Sequence, residues 1–390
     1  MDNNYDFSDI APFDDSEFSA RMSQLVREPG FEHAVKFIMP DVDFGRFAAQ
    51  LLEIPDKRRF QEIVMKPFLE MLASRTTSGI TIGGLDGVEA GKSYTFISNH
   101  RDIVLDASFL NYCFLQHNIP TSEVAIGDNL LIYDWITELV KLNKSFIVKR
   151  NLRLTKALEA ARQLSAYIHY AITGKHESVW IAQREGRAKD SNDVTQESVI
   201  KMLALGGGEG KSLIDSIAEI NIMPVSISYE YDPNDYLKAR EFLLKRLDPD
   251  FKKSQRDDLF SMETGLLQPK GRIHFELGAC ITPQLEELRV VTDKVELVKR
   301  ICAMIDSSIH RGYHIYPVNY MAYDMLHGTH KYSSEYTTDD VERFKKYIDT
   351  QLGKVELESA PSELDVKYMN EMMLAMYANP LRNKLMAAEK

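Results

Sequence analysis

Tyr94-Thr95-Phe96-Ile97-Ser98-Asn99-His100-Arg101-Asp102-Ile103-Val104-Leu105-Asp106 begins as an apolar, β-rich run and ends abruptly in a histidine with two carboxylates just beyond it. Such a run predicts a buried strand over 93–98, and the apolar stretch that follows predicts a helix over 103–118. The histidine stands where a general base belongs. An imidazole becomes a useful base near neutral pH when a carboxylate holds one ring nitrogen, fixes the tautomer and stabilises the imidazolium.

The same texture repeats outward from this junction. Short β-rich segments at 79–83, 122–127, 145–148, 177–182, 222–228 and 271–277 are separated by helical stretches at 130–142, 152–173 and 235–246. Strands alternating with helices define an α/β core. Both flanks are patterned as helix, as Phe60, Ile63, Val64, Phe68, Leu69 and Leu72 illustrate on the N-terminal side. The expected organisation is therefore an acidic tail over 1–17, an N-terminal helical region over 18–76, an α/β domain over 77–285 and a C-terminal helical region over 286–390. The tail holds Asp2, Asp6, Asp9, Asp14, Asp15 and Glu17 and no basic residue, and reads as solvated.

Charge and cysteine usage narrow the function classes. A net charge of -11 argues against nucleic acid, whose backbone calls for a basic surface. Between Glu138 and Glu159, however, there is no acidic residue, while Lys141, Lys144, Lys149, Arg150, Arg153 and Lys156 fall in the interval. Uncompensated cations in an acidic chain mark a place for an anion. Cys113, Cys280 and Cys302 are far apart, with no metal or redox spacing, which fits a reducing cytoplasm. Neither a signal peptide nor an apolar run of about 18 residues is seen, so contact with a membrane is expected at its surface.

Four blocks lie in one order: Asn99-His100 to Asp106; Phe146-Ile147-Val148-Lys149-Arg150; Glu185-Gly186-Arg187; and Ile222-Met223-Pro224-Val225-Ser226-Ile227-Ser228-Tyr229-Glu230. Together they resemble the glycerolipid acyltransferases, the glycerol-3-phosphate and 1-acylglycerol-3-phosphate acyltransferase superfamily, and most of all its glycerol-3-phosphate branch. The resemblance spans roughly residues 93–285. It implies an α/β fold with a mixed sheet of about seven strands flanked by helices, extended here by helical N- and C-terminal regions.

Two departures from the family pattern bear on the site. Five residues separate His100 from Asp106 where the family has four, so Asp102 is a rival partner for the histidine. Asp106 is favoured because the apolar run after it continues as the family's does, whereas an aspartate opening a helix is a common N-cap. Glu185-Gly186-Arg187 is one residue shorter than the family's block, which leaves Arg184 and Lys189 as stand-ins for Arg187.

The resemblance implies His100 as general base oriented by Asp106, and Lys149, Arg150, Glu185, Gly186 and Arg187 as the acceptor's phosphate and glycerol site, with Pro224 shaping the backbone. It implies no cofactor and no metal. An acyl-CoA or acyl carrier protein thioester is the co-substrate, and glycerol-3-phosphate or lysophosphatidate the acceptor. The expected setting is cytoplasmic, peripheral on the membrane's cytoplasmic face, in phospholipid biosynthesis. The alternatives are an acyltransferase for a different lipid acceptor, hydroxy- or amino-lipid, and a non-catalytic lipid-binding protein of the same fold. Phe109, Leu110, Tyr112, Phe114 and Leu115 are the expected suppliers of an acyl groove.

Two further motifs are set aside. Gly206-Gly207-Gly208-Glu209-Gly210-Lys211-Ser212 lacks the first glycine of a phosphate loop, that position being Leu205, and reads as a linker. His310, His314, His327 and His330 stand among Tyr313, Tyr316, Tyr320 and Tyr323, which favours aromatic packing over a metal site.

Overall fold

The computed structural model describes residues 5–208 and 210–389, so Asp2 of the acidic stretch and Glu209 of the glycine-rich stretch lie outside the described residues. Its strands are β1 (Gly79–Gly83), β2 (Thr95–Ser98), β3 (Glu123–Gly127), β4 (Ser145–Val148), β5 (Val179–Ala182), β6 (Ile222–Tyr229) and β7 (Arg272–Leu277). They form one sheet in the order β1-β7-β6-β2-β5-β3-β4. The run from β6 to β4 is parallel, whereas β7 pairs antiparallel with β6 and carries β1 parallel to itself. The protein is thus α/β with a mixed seven-stranded sheet, as the sequence leads one to expect.

Every residue of β2 and β6 is buried, which a sheet covered on both faces requires. Successive side chains point to opposite faces, so Ile97 joins Phe146, Ile168, Val179 and Ile301 on one side while Phe96 joins Phe109, Phe114, Met223 and Phe275 on the other.

The helices follow from this division. Before the sheet come α1 (Asp15–Leu25), α2 (Pro29–Ile38), α3 (Phe44–Leu52), α4 (Lys57–Phe60) and α5 (Lys66–Thr76), the last two joined through a π-helical turn at Gln61–Met65. Between strands lie α6 (Leu105–Gln116), α7 (Asp134–Leu142), α8 (Leu154–Thr173), α9 (Glu197–Leu203), α10 (Leu213–Glu219), α11 (Asp235–Leu247) and α12 (Gln255–Leu267). After β7 come α13 (Thr282–Leu285), α14 (Lys294–Gly312), α15 (Pro317–His327), α16 (Thr338–Leu352) and α17 (Glu363–Ala388). The N-terminal helices share a core with α7 around Phe18, Phe31, Leu51, Phe60 and Leu142. The last three helices pack on α11 around Leu243, Tyr316, Phe344, Met373 and Tyr377.

The acidic stretch departs from expectation in part. Within residues 5–14 the acids Asp6, Asp9 and Asp14 are exposed as expected, but Ile10, Pro12 and Phe13 are buried, and Ile147 N donates to Ile10 O at 2.9 Å along the outer edge of β4. The apolar residues interleaved with the acids decide the matter, and they also cover an edge strand that would otherwise stay open.

Pro224 sits inside β6, opposite Ile97 of β2. A proline in a central strand costs a ladder bond unless its nitrogen falls where pairing has ended. Here the β6–β7 ladder begins at Val225, and Pro224 O still accepts from Gly278 N at 2.8 Å. The proline therefore ends a ladder, and it does not line the cavity described below.

One buried acid ties the C-terminal helices to α11. Asp235 Oδ2 accepts from Tyr347 Oη of α16 and Tyr377 Oη of α17, both at 2.7 Å. Burial pushes this carboxyl up to about 7. Its folded value exceeds the unfolded one of about 3.9, so the stabilising protonated form is complete below about pH 4 and is lost as pH rises through 7. Asp235→Asn keeps an acceptor for both tyrosines. It should flatten the fall in melting temperature between about pH 4 and 7; an unchanged slope in calorimetry would refute the assignment.

Candidate active site

The carboxyl ends of β2, β4 and β5 converge because the chain returns from β4 to place β5 between β2 and β3 and then crosses to β6 on the other side of β2. Ligands of open α/β sheets bind at such a reversal. His100 stands just past β2, Lys149 and Arg150 just past β4, and Glu185 and Gly186 just past β5.

Asp106 and Asp102 have different tasks. His100 Nδ1 is 2.8 Å from Asp106 Oδ2, and the same oxygen accepts from Arg101 N at 2.6 Å and Asp102 N at 3.0 Å. Asp102 Oδ1 instead accepts from Val104 N and Leu105 N, at 2.9 and 2.8 Å, and so closes the turn into α6. The extra residue between histidine and aspartate is absorbed by that turn. Burial and the neighbouring Asp106 carboxylate push Asp102 upward. With Nδ1 donating to a carboxylate, Nε2 of His100 is left as the basic nitrogen. Its ring is held edge-on by Trp180, with centroids 5.7 Å apart, and Trp180 Nε1 donates to Ser98 Oγ at 3.1 Å.

The cations sort into three groups. Arg150 and Arg184 line the same cavity as His100. Arg150 N donates to Asp128 Oδ1 at 3.1 Å, its guanidinium lies 3.6 Å from Glu185, and Arg184 Nε is buried with no hydrogen-bond partner among the described residues. Lys149 also lines the cavity, with its ammonium paired to Asp9. Arg187, 7% exposed, is turned away from the cavity into the protein, where its charge bears on Asp102. Lys189 pairs with Glu241 at 3.5 Å, likewise outside the cavity. Gly186 adopts φ +66° at the turn between Glu185 and Arg187, a left-handed conformation that favours glycine. This sharp turn sends Arg184 and Arg187 to opposite sides.

The cavity has a volume of about 1250 Å³ and is bounded by the N-terminal helices on one side and by α6, α7 and α8 on the other. Pockets for drug-sized ligands run from roughly 300 to 1,000 Å³, so this one has room for a larger molecule. Val104, Ala107, Ser108, Asn111, Tyr112 and Leu115 recur on one stripe of α6 and all line it. At 1.5 Å per residue the cavity follows the helix for about 16 Å from the end nearest His100. Of the side chains expected to form an apolar groove, Tyr112 and Leu115 do so. Phe109, Leu110 and Phe114 point the other way, into the core beneath the sheet. The sequence gives no sign that Phe31, Val35, Leu51 and Trp135 wall the same space, since that depends on where the N-terminal helices dock.

The glycine-rich stretch joins a short turn at Ala204–Gly207 to α10, with Ser212 capping the helix through Asp215 N. His310 Nε2 bonds Asp193 O at 2.8 Å, His314 packs against Tyr316, and His327 against Tyr323. Among the described residues no cluster of metal-binding side chains occurs, and no helix is long and apolar enough to cross a membrane.

No protein-family model matches the chain, and no curated protein matches it. Among solved structures it is similar to the 1-acyl-sn-glycerophosphate (LPA) acyltransferase PlsC from Thermotoga maritima, with 11% identity and a TM-score of 0.39 over 74% of this chain and 94% of that one.

Proposed function

We propose that the protein is an acyltransferase that moves a fatty acyl group from a coenzyme A or acyl carrier protein thioester to a hydroxyl of glycerol-3-phosphate or lysophosphatidate, at the cytoplasmic surface of a membrane. The observation that carries this reading is the His100–Asp106 pair at 2.8 Å, set in the wall of a large apolar cavity that Arg150 and Arg184 also line. The cavity suits an acyl chain and the two guanidiniums suit a phosphate, whose oxygens a planar fork grips two at a time.

The chemistry follows from the residue types. His100 Nε2 takes the acceptor's hydroxyl proton as its oxygen attacks the thioester carbonyl, and Asp106 stabilises the imidazolium. The C–O bond forms, the C–S bond breaks, and the proton passes from His100 to the departing thiolate. A thiol is a good leaving group, with a pKa near 8.5, so no covalent enzyme intermediate is needed.

Purified protein offered labelled acyl donors on each carrier, with phosphorylated and unphosphorylated acceptors, tests the proposal. Transfer is expected only to phosphorylated acceptors, and no product with any acceptor from folded protein would sink it. Arg184→Ala removes a charged hydrogen-bond donor worth roughly 1.5–3 kcal/mol, and should raise the acceptor KM about 10- to 100-fold with little effect on the donor KM. Equal effects on both would remove Arg184 from the phosphate site.

A further inference from the structure

Arg101 follows His100 in the chain, but its side chain leaves the cavity and is buried on the far side of the catalytic loop. There its guanidinium meets two carboxylates from different loops. Nη2 bonds Asp232 Oδ2, just past β6, at 2.6 Å, and Nη1 lies 3.6 Å from Asp193 Oδ2, in the loop after β5. Lys238 of α11 completes the set by donating to Asp232 Oδ2 and, at 3.0 Å, to Arg101 O. Two basic and two acidic side chains meet here, all buried, and burial pushes Asp193 upward and Lys238 down to about 7.

Residues 183–196 form a closed loop. Gln196 N donates to Gln183 O at 2.9 Å, and Glu185 N to Gln196 Oε1 at 2.8 Å. The loop carries Arg184, Glu185 and Gly186 at one end and Asp193 at the other. The C-terminal helices hold its outer side: Thr195 N and Oγ1 donate to Asp306 of α14 at 2.7 and 2.6 Å, and Asn379 Nδ2 of α17 donates to Asp190 O at 2.8 Å. Toward the histidine its first residue is tied to β2, Gln183 N donating to Ser98 O at 2.8 Å, and its far end approaches the histidine's loop through the ion pair of Asp193 with Arg101 at 3.6 Å, which is not a hydrogen bond.

We propose that Arg101, through Asp193, is a positioning residue that sets the place of the anion-binding end of this loop relative to His100. The proposal rests on the acyltransferase reading. The guanidinium touches neither cavity nor substrate. It bridges the loop of the base and the loop of Arg184, and Asp232 fixes it from a third side. Lysine cannot replace it, because one ammonium cannot span two carboxylates that approach different nitrogens of a fork.

The test uses the full chain with Asp193→Asn, Arg101→Lys and Arg101→Met. Asp193→Asn keeps shape and removes the charge, so it serves if Arg101→Met does not fold. Expected are a rise of tenfold or more in the acceptor KM, a kcat within about threefold of wild type, and faster amide hydrogen exchange in 183–196 but not in β2. A fall in kcat with KM unchanged, or exchange in 183–196 equal to wild type, overturns the proposal. If the wild type transfers no acyl group, exchange still decides: faster exchange keeps the positioning role while the reaction reading falls, and unchanged exchange removes the positioning role as well.

Discussion

His100→Ala is expected to lower kcat by about 10²- to 10⁴-fold, the range in which a positioned general base contributes. The protein should remain folded, because the ring's contacts are the bond to Asp106 and the edge of Trp180, and its side chain is 15% exposed. Asp106 keeps two backbone donors when the imidazole is gone, so the variant leaves no buried carboxylate without partners. Asp106→Asn should also lose most activity, since an amide cannot stabilise the imidazolium as a carboxylate does. Asp102→Asn tests the division of labour between the two acids. Its Oδ1 accepts from Val104 N and Leu105 N, which an amide oxygen can still do, and only the long bond from Asn234 Nδ2 to Oδ2, at 3.4 Å, is lost, so its kcat should fall far less than that of Asp106→Asn. Steady-state kinetics on variants matched for melting temperature checks all three. Full activity in His100→Ala would place the catalytic centre elsewhere, and a larger loss in Asp102→Asn than in Asp106→Asn would reverse the roles of the acids.

What was legible in the sequence was whatever local spacing dictates. Seven β-rich segments announced seven strands, and the turn from β2 into α6 could be read from an apolar run ending in polar residues. Spacing alone leaves both Asp102 and Asp106 within reach of His100, and Asp106 is favoured only because the apolar run after it continues as the family's does; the structure pairs His100 with Asp106 and gives Asp102 the turn before Leu105. Arg187 was harder. Nothing local says that Gly186 at φ +66° reverses the chain, leaving Arg184 in the cavity wall and burying Arg187. Arg101, Asp193 and Asp232 were invisible as a group because 131 positions separate the ends of the set and only the crossing of β5 and β6 about β2 unites them. Residues 5–14 divide for a similar cause: Asp6, Asp9 and Asp14 are exposed as their charge leads one to expect, whereas Ile10 packs in the core that holds Phe146 and Ile147 of β4 and Phe13 in the core of the N-terminal helices, partners that no local pattern names.

Ser108→Phe should separate long acyl donors from short ones. Ser108 lies on the cavity stripe of α6, four residues beyond Val104, or about 6 Å along the axis from the end nearest His100. An extended chain with carbon–carbon bonds of about 1.5 Å advances about 1.3 Å per carbon, so the first four or five carbons pass before the new ring is met. The serine hydroxyl bonds only Val104 O of its own helix, at 2.7 Å, and replacing it breaks no tertiary contact. Each methylene denied burial forfeits about 0.8 kcal/mol, so excluding six of them costs about 5 kcal/mol, or roughly 10³- to 10⁴-fold in kcat/KM. Transfer from a butyryl donor should stay within a few-fold of wild type, because the His100–Asp106 pair is untouched. The two tryptophans, Trp135 and Trp180, both line the cavity, so quenching by a long-chain fatty acid gives a second reading that needs no turnover. Loss of quenching together with retained short-chain transfer is the expected pattern. Equal losses for butyryl and long-chain donors would mean that the chain does not follow α6, and unchanged long-chain transfer would mean that the acyl group lies outside this cavity altogether.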